Sequence, residues 1–333
     1  MPASACRSGL VAAGVVFLVW GTVLIPRTLA EGAGPSPFAL VLGTAQDGGL
    51  PQLGGTADQD AAARRDPKLR RRVASLLVVD PGSEERFLID ATPDIREQVE
   101  TADLLAPQPA TPSGRPPLFG AIALTHAHIG HYSGLLQLGR EAYGAAGQRV
   151  LASDRMARFL ETNGPWDLLV KLKHLQIERI AADKSVALNA RLSITPIAVP
   201  HRDEYSDTFG FIVRGPARSL LWLPDIDKWE RWDRRIEDVI AGVDIAFVDG
   251  TFFDAGELPG RSMSEVPHPF IAESLARFAT LPEKERKKVV FIHLNHTNPA
   301  ATPGSRAEAA IAQMGMRVAR EGERVPLGAT TSF

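Results

Sequence analysis

The stretch that most constrains this chain is Leu124-Thr-His-Ala-His-Ile-Gly-His-Tyr-Ser-Gly134. It gathers three of the eight histidines, His126, His128 and His131, within six residues. An apolar, strand-like run, Phe119-Gly-Ala-Ile-Ala-Leu124, leads in, and a helix-like run from Tyr132 leads out. Neutral imidazole is the commonest side-chain ligand for zinc and related metals. A His-x-His pair at a strand end projects two rings from a turning backbone, so both can reach one ion. The third histidine, at the mouth of the next helix, can face the same ion or a second one. The competing reading is a plain polar strand-to-helix turn, which does not call for three imidazoles in a histidine-poor chain.

Other apolar runs end on residues of the same kind. Leu192-Ser-Ile-Thr-Pro-Ile-Ala-Val-Pro-His201 alternates as a half-buried strand should and ends on histidine. Ser219-Leu-Leu-Trp-Leu-Pro224 is followed by Asp225, and Val289-Val-Phe-Ile292 by His293. Further strands are expected at Phe38–Gly43, Val73–Val79, Arg86–Asp90, Arg149–Ala152, Thr208–Val213 and Asp244–Asp249. Helices are expected at Ile95–Leu105 with Asp94 as its cap, from Tyr132 to about Tyr143, at Asp154–Leu160, about Trp229–Ala241 and His268–Ala279. Residues 57–72 read as an exposed segment in which Lys68-Leu-Arg-Arg-Arg72 is solvated. Strands, then helices, then a similar series imply an α/β protein with two packed sheets and helices outside. Residues at one end of packed sheets converge, so His126, His128, His131, His201, Asp225 and His293 can share a site.

The N-terminus is different in kind. Arg7 precedes an uncharged apolar run from Gly9 to Ile25, and Thr28-Leu-Ala30 offers small residues for cleavage. Residues 1–30 thus read as a signal peptide, or as a membrane anchor if uncleaved. Residues 31–37 read as a linker, and 38–333 as one domain, exported to the periplasm or secreted. The lone cysteine, Cys6, precedes the apolar run, so the body has no thiolate to offer a metal. A formal charge of −2 and the absence of a basic run interleaved with aromatics give no case for nucleic-acid binding. The paired glycines of Thr44-Ala-Gln-Asp-Gly-Gly-Leu-Pro-Gln52 suit a tight turn near a ligand. Their spacing fits neither a dinucleotide nor a P-loop pattern, which excludes nucleotide binding of those kinds.

The order of these residues resembles the metallo-β-lactamase fold, whose members carry His-x-His-x-Asp-His, a strand-end His, a bridging Asp and a final His. The resemblance runs from Phe38 to Phe333. Gly43-Thr-Ala-Gln-Asp-Gly-Gly-Leu-Pro-Gln52, Val199-Pro-His-Arg-Asp-Glu-Tyr-Ser-Asp-Thr-Phe-Gly210, Leu223-Pro-Asp-Ile-Asp-Lys-Trp229 and His293-Leu-Asn-His-Thr-Asn-Pro299 resemble the branch that contains pyrroloquinoline-quinone biosynthesis protein B. The resemblance implies an αβ/βα sandwich of two central mixed sheets flanked by helices. It implies a first metal site at His126, His128 and His201, a second at His131 and His293, and Asp225 bridging. Zinc is the expected ion, one or two per chain, with iron and manganese as alternatives. The pattern departs at Gly130, where relatives place an aspartate; a nearby carboxylate such as Asp47 is a possible substitute.

Phosphodiesterases of this fold, including the tRNA 3′-processing endonucleases, carry a Glu-Ala-Thr-Phe motif and a later His-Ser-Thr. Asp249-Gly-Thr-Phe252 and His268-Pro-Phe270 stand in comparable places. The similarity implies His268 as general acid, oriented by Asp249. His296, Asp47 and Asp203 are candidates for hydrogen-bonding support or substrate contact, and Asp90 for capping a turn beneath the site. The leading expectation is an exported hydrolase that uses metal-activated water on a small ester, lactone or phosphodiester. The alternatives are an iron-dependent oxidative role in cofactor maturation and a non-catalytic metal or ligand-binding scaffold. Oligomeric state does not follow from the residues.

Overall fold

Central strands buried on both faces explain the architecture, which a computed structural model describes for residues 1–2, 35–108, 114–257 and 265–329. The expected leader or anchor lies outside the described residues, apart from the first two. The strands are β1 (Phe38–Gly43), β2 (Ser75–Asp80), β3 (Glu85–Ile89), β4 (Ala121–Ala123), β5 (Gln148–Ala152), β6 (Leu175–Arg179) and β7 (Val186–Ala187). They continue with β8 (Ser193–Val199), β9 (Thr208–Arg214), β10 (Ser219–Leu223), β11 (Ile245–Asp249), β12 (Val289–Ile292), β13 (Arg317–Val318) and β14 (Arg324–Pro326). One sheet runs β14-β1-β2-β3-β4-β5-β6 and the other β13-β12-β11-β10-β9-β8-β7.

Successive side chains of a strand point to opposite faces, and each strand here uses both. Ala39 and Val41 of β1 meet Phe211, Trp222, Phe247 and Ile292 in the core between the sheets. Leu40 and Leu42 face the other way, onto helices α2 (Ile95–Leu105) and α4 (Asp154–Thr162). In the second sheet, Val290 and Ile292 face the inner core. Val289 and Phe291 pack on α6 (Ile236–Ala241), α7 (Ile271–Phe278) and α9 (Arg306–Gln313). The result is the helix–sheet–sheet–helix sandwich of mixed sheets that the sequence implied. Among the described residues no helix is long and apolar enough to cross a membrane.

Chain direction puts the functional strand ends together. β3 and β4 are parallel, as are β10, β11 and β12. β1 reaches β3 through antiparallel β2, and β8 reaches β10 through antiparallel β9, so each also runs with its sheet's parallel set. The carboxyl ends of β1, β3 and β4 therefore share one edge, as do those of β8, β10, β11 and β12. Ligand sites of α/β sheets occupy this kind of edge.

Several local expectations change. The helix expected after Tyr132 is a single α-turn, α3 (Ile129–Tyr132), followed by a tighter 3-10 segment, Ser133–Leu138. The Gly134 N–H is drawn to the Ala91 carbonyl at 2.9 Å instead of continuing the α ladder. The helix expected at Trp229–Ala241 breaks into a 3-10 turn, Trp229–Arg231, and α6. Between them Trp232 turns away so that its indole N–H donates to Ala198 O at 2.9 Å. Asp94 precedes α2 but does not cap it with its side chain; its Oδ2 accepts from Val73 N at 2.8 Å. The segment 57–72 folds into α1 (Asp58–Arg65) and a 3-10 turn. Lys68 and Arg70 are exposed as expected, but the last two arginines are held by the protein. Arg71 is buried and donates to Thr44 Oγ1 and Ala301 O, while Arg72 pairs with Glu321 at 2.7 Å.

Candidate metal centre

His126, His128 and His131 follow β4, His201 follows β8, Asp225 follows β10, and His293 follows β12 directly. All six converge, and Asp47, from the loop after β1, joins them. His131 and His126 have ring centroids 4.2 Å apart, and His128 and His201 4.9 Å apart. The backbone bends sharply to achieve this. Asp90 and His293, each the first residue past a buried strand, adopt positive φ of 67° and 64°. Residues other than glycine take up this conformation at a cost of roughly 1–3 kcal/mol, and such strain is concentrated at functional sites.

The hydrogen bonds assign the tautomers. Thr125 Oγ1 contacts both Asp90 carboxylate oxygens at 3.0 Å. Its single proton goes to that carboxylate, so His126 Nδ1, at 3.0 Å, must donate to it. The same logic holds at Thr251, whose Oγ1 donates to Asp249 Oδ1 at 2.7 Å and lies 3.0 Å from His293 Nδ1. His131 Nδ1 donates to Asp90 Oδ2 at 2.8 Å and His201 Nδ1 to Asp227 Oδ1 at 3.3 Å. His128 donates from Nε2 to Glu204 Oε2 at 3.1 Å. Each of the five imidazoles therefore has one nitrogen tethered and a lone pair left on the other, the arrangement typical of metal-ligating histidine.

Those free atoms lack protein partners. Buried atoms without a hydrogen bond among the described residues include His126 Nε2, His131 Nε2, His293 Nε2, Asp47 Oδ1 and Asp225 Oδ2. Each such atom costs about 1–3 kcal/mol if left unsatisfied, so a cluster of acceptors facing one another calls for a cation. Spacing agrees. Ligand atoms about 2.0–2.1 Å from a tetrahedral zinc lie about 3.3–3.4 Å from one another. His128 Nδ1 and His201 Nε2 are 3.3 Å apart. His131 Nε2 is 3.3 Å from Asp47 Oδ1 and 3.0 Å from Asp225 Oδ2. His293 Nε2 is 3.2 Å from Asp225 Oδ2. Asp225 Oδ1 faces the other way, 3.6 Å from His201 Nε2, so this carboxylate spans the two groups.

Electrostatics divide the centre. Burial holds His126 well below the usual imidazole range, with neighbouring His131 adding to the effect. Burial, then His201, also lowers His128. Burial pushes His131 down too, but Asp90, Asp225 and Asp47 outweigh it and raise it well above its usual value. Asp225 resists burial because His293, His131 and His201 hold its carboxyl well below the usual range. The first group offers nitrogen alone, whereas the second adds the carboxylates of Asp47 and Asp225.

His268 and Asp249 meet as the sequence implied, with Nδ1 2.8 Å from Asp249 Oδ2. Asp249 is fully buried and also accepts from the backbone of Thr251 and Ile226. Because His268 stands before Pro269, it is outside α7, in extended chain where its ring can reach Asp249. His268 opens on a cavity of about 350 Å³ lined also by Gln46, Gln52, Arg202, Asn295 and His296. A larger, open groove of about 640 Å³ around Arg86, Leu105 and Arg324 contains none of the clustered histidines. His296 reaches back to buried Asp60 at 2.7 Å. Asp203 lies on the exposed loop after His201, and its Oδ1 accepts from Thr208 at 3.2 Å. Sequence reasoning missed Asp227, and it placed Asp90 beneath the site without its bond to His131. Asp90 at a strand end was the available signal; nothing local marks Asp227.

Comparison with known proteins agrees with this geometry. The model of the β-lactamase superfamily domain matches residues 85–294. Coenzyme PQQ synthesis protein B of Pseudomonas fluorescens (strain Pf0-1) is 30% identical over 318 residues, covering 87% of this chain and 100% of that protein. The crystal structure of Zn²⁺-bound PqqB from Methylobacterium extorquens superposes with a TM-score of 0.73 at 22% identity, covering 87% of this chain and 100% of that one. A diphosphatase of the PhnP family superposes with a TM-score of 0.56 at 20% identity, covering 87% and 96%. With its sandwich fold, its histidine cluster and these matches, the chain belongs to the β-lactamase superfamily, in the branch of coenzyme PQQ synthesis protein B.

Proposed function

We propose that this chain is an exported, zinc-dependent hydrolase of a small anionic ester, with phosphodiesters the favoured class. The observation that carries this reading is the set of five tethered imidazoles whose free nitrogens face one another beside the His268–Asp249 pair. His126, His128 and His201 would hold one ion, and His131 and His293 a second, with Asp225 between them. Bound there, zinc supplies Lewis-acid polarisation and acidifies water to near neutrality.

The chain's own residues do the rest. Asp249 Oδ2 fixes His268 Nδ1–H, which leaves Nε2 to carry the proton for a leaving oxygen. Burial works against the imidazolium form of His268, but Asp249, aided by Asp225, raises its pKa above the usual value. The hydrogen bond to Asp249 thus favours the imidazolium form that a general acid requires. Arg202 lines the same cavity, close enough to His268 to oppose its protonation. Among the described residues it has no carboxylate partner, which suits it to an anionic group of the substrate. The cavity's amides, Gln46, Gln52 and Asn295, favour a polar ligand over an apolar one.

His268→Ala tests the assignment. Turnover of an activated phosphodiester should fall about 10²–10⁴-fold, the range for a lost general acid, while metal content stays near that of the parent. Equal loss of both would remove the role. Export rests on the charged start, the apolar run and Thr28-Leu-Ala30; N-terminal sequencing of periplasmic protein should read from near Glu31. A second reading comes from the relatives named for coenzyme PQQ synthesis, which span this chain nearly end to end. It is an oxidative step in cofactor maturation at iron. Iron as the native metal under anaerobic purification, with substrate-linked oxygen uptake, would favour it over hydrolysis.

A further inference from the structure

Position 130 is glycine for want of space, and the space is taken by Asp47. Gly130 lies in α3, directly before His131 and with ordinary helical backbone, so it needs no conformational freedom. A Cβ built there would stand 2.0 Å from Asp47 Oδ1, 2.8 Å from its Cα and 2.9 Å from its Cγ. No real Cβ approaches other atoms so closely, so the two side chains exclude one another. Asp47 is only half-buried as a residue, yet its Oδ1 is enclosed and makes no hydrogen bond. That atom lies 3.3 Å from His131 Nε2 and 3.9 Å from His293 Nε2.

We propose that Asp47 is the carboxylate ligand of the second metal site, supplied from the loop after β1 in place of a side chain at position 130. The inference rests on the metal-dependent reading above. The loop is held for the task. Leu294 N donates to Thr44 O, and Gln46 N donates to Leu294 O, both at 2.9 Å. Asn295 Nδ2 also donates to Gln46 Oε1. These bonds fasten the backbone on one side of Asp47 to the backbone just beyond His293, so two ligands from opposite ends of the chain move as one unit. With Asp225, the second group then has two nitrogens and two carboxylate oxygens, a full set for a four-coordinate site.

Zinc titration of the full chain against a chromophoric chelator, with bound metal counted by mass spectrometry, tests this. The parent chain should take up two ions. Asp47→Asn, which keeps the shape and loses the charge, should weaken the second ion by more than ~100-fold, beyond the 10–100-fold that removing an outer hydrogen-bond partner costs. It should leave the first ion bound, which also reports that the centre is folded. Gly130→Ala removes no ligand atom, yet by displacing Asp47 it should also weaken the second ion selectively. Two ions of unchanged affinity in Asp47→Asn would overturn the proposal and leave the hydrolase reading standing. One ion in the parent, at His126, His128 and His201, would do the same. No ion in the parent would overturn both.

Discussion

His128 and its partner Glu204 have side chains 15% and 51% exposed, whereas His131 and its partner Asp90 are both fully enclosed. The two halves of the centre use the same ligand side chain in opposite surroundings. The half made by His126, His128 and His201 offers nitrogen alone and reaches solvent through His128, the other two side chains being buried. The half made by His131 and His293 encloses both imidazoles and has two carboxylates within reach, buried Asp225 and half-buried Asp47. A group of three nitrogens leaves a fourth position for water and substrate; a group with two added carboxylates suits lasting retention of a cation. Asp225, with an oxygen toward each, ties them together. The difference teaches that one ion should be the reactive one and the other its electrostatic support.

Stripping both ions should have the largest effect. Several kcal/mol of transition-state stabilisation corresponds to about 10³-fold or more in rate, so chelator-treated protein should lose phosphodiester hydrolysis to that extent and regain it with zinc. Unchanged activity after stripping would break the comparison at its root. The orienting carboxylates come next. Asp90 holds His131 directly and His126 through Thr125, so Asp90→Asn should weaken both ions about 10–100-fold in chelator competition. Of the ligands, Asp227 holds His201 alone, through a longer bond of 3.3 Å, its other oxygen accepting from Arg231. Asp227→Asn should therefore weaken the first ion alone, by about tenfold. Equal effects of the two variants on both ions would erase the distinction between the halves. Smallest is Arg202→Ala, where an exposed charge-assisted contact predicts a rise in KM of about tenfold on an anionic ester with kcat little changed. A neutral ester should show no such rise.

The histidines were legible in the sequence because each ends an apolar run, and burial of a strand forces its end to the edge of the sheet. Asp225 and Asp249 were legible for the same reason, and His268 through the resemblance alone. The tethering partners were not. Asp90 lies 41 residues from His131 and Asp227 lies 26 residues from His201. Strand pairing brings each together with its histidine, and no local pattern records it. Asp47 was named only as a possible substitute, because its reach depends on the zipper between residues 44–46 and 294–295 that joins the two ends of the chain. Asp94 shows the converse failure. It has the residue type and position of a helix cap, but the unpaired N–H of Val73 claims its carboxylate. Local preference yields where a tertiary donor lacks any other partner.

The central claim is that these imidazoles and carboxylates hold metal, and anomalous scattering at the zinc edge from crystals of the protein tests it most directly. The account predicts two peaks. One should be bounded by His126, His128 and His201, the other by His131, His293 and Asp47, with Asp225 between them. Crystals of zinc-loaded protein with no peak at the cluster, or with peaks only elsewhere on the chain, would contradict it.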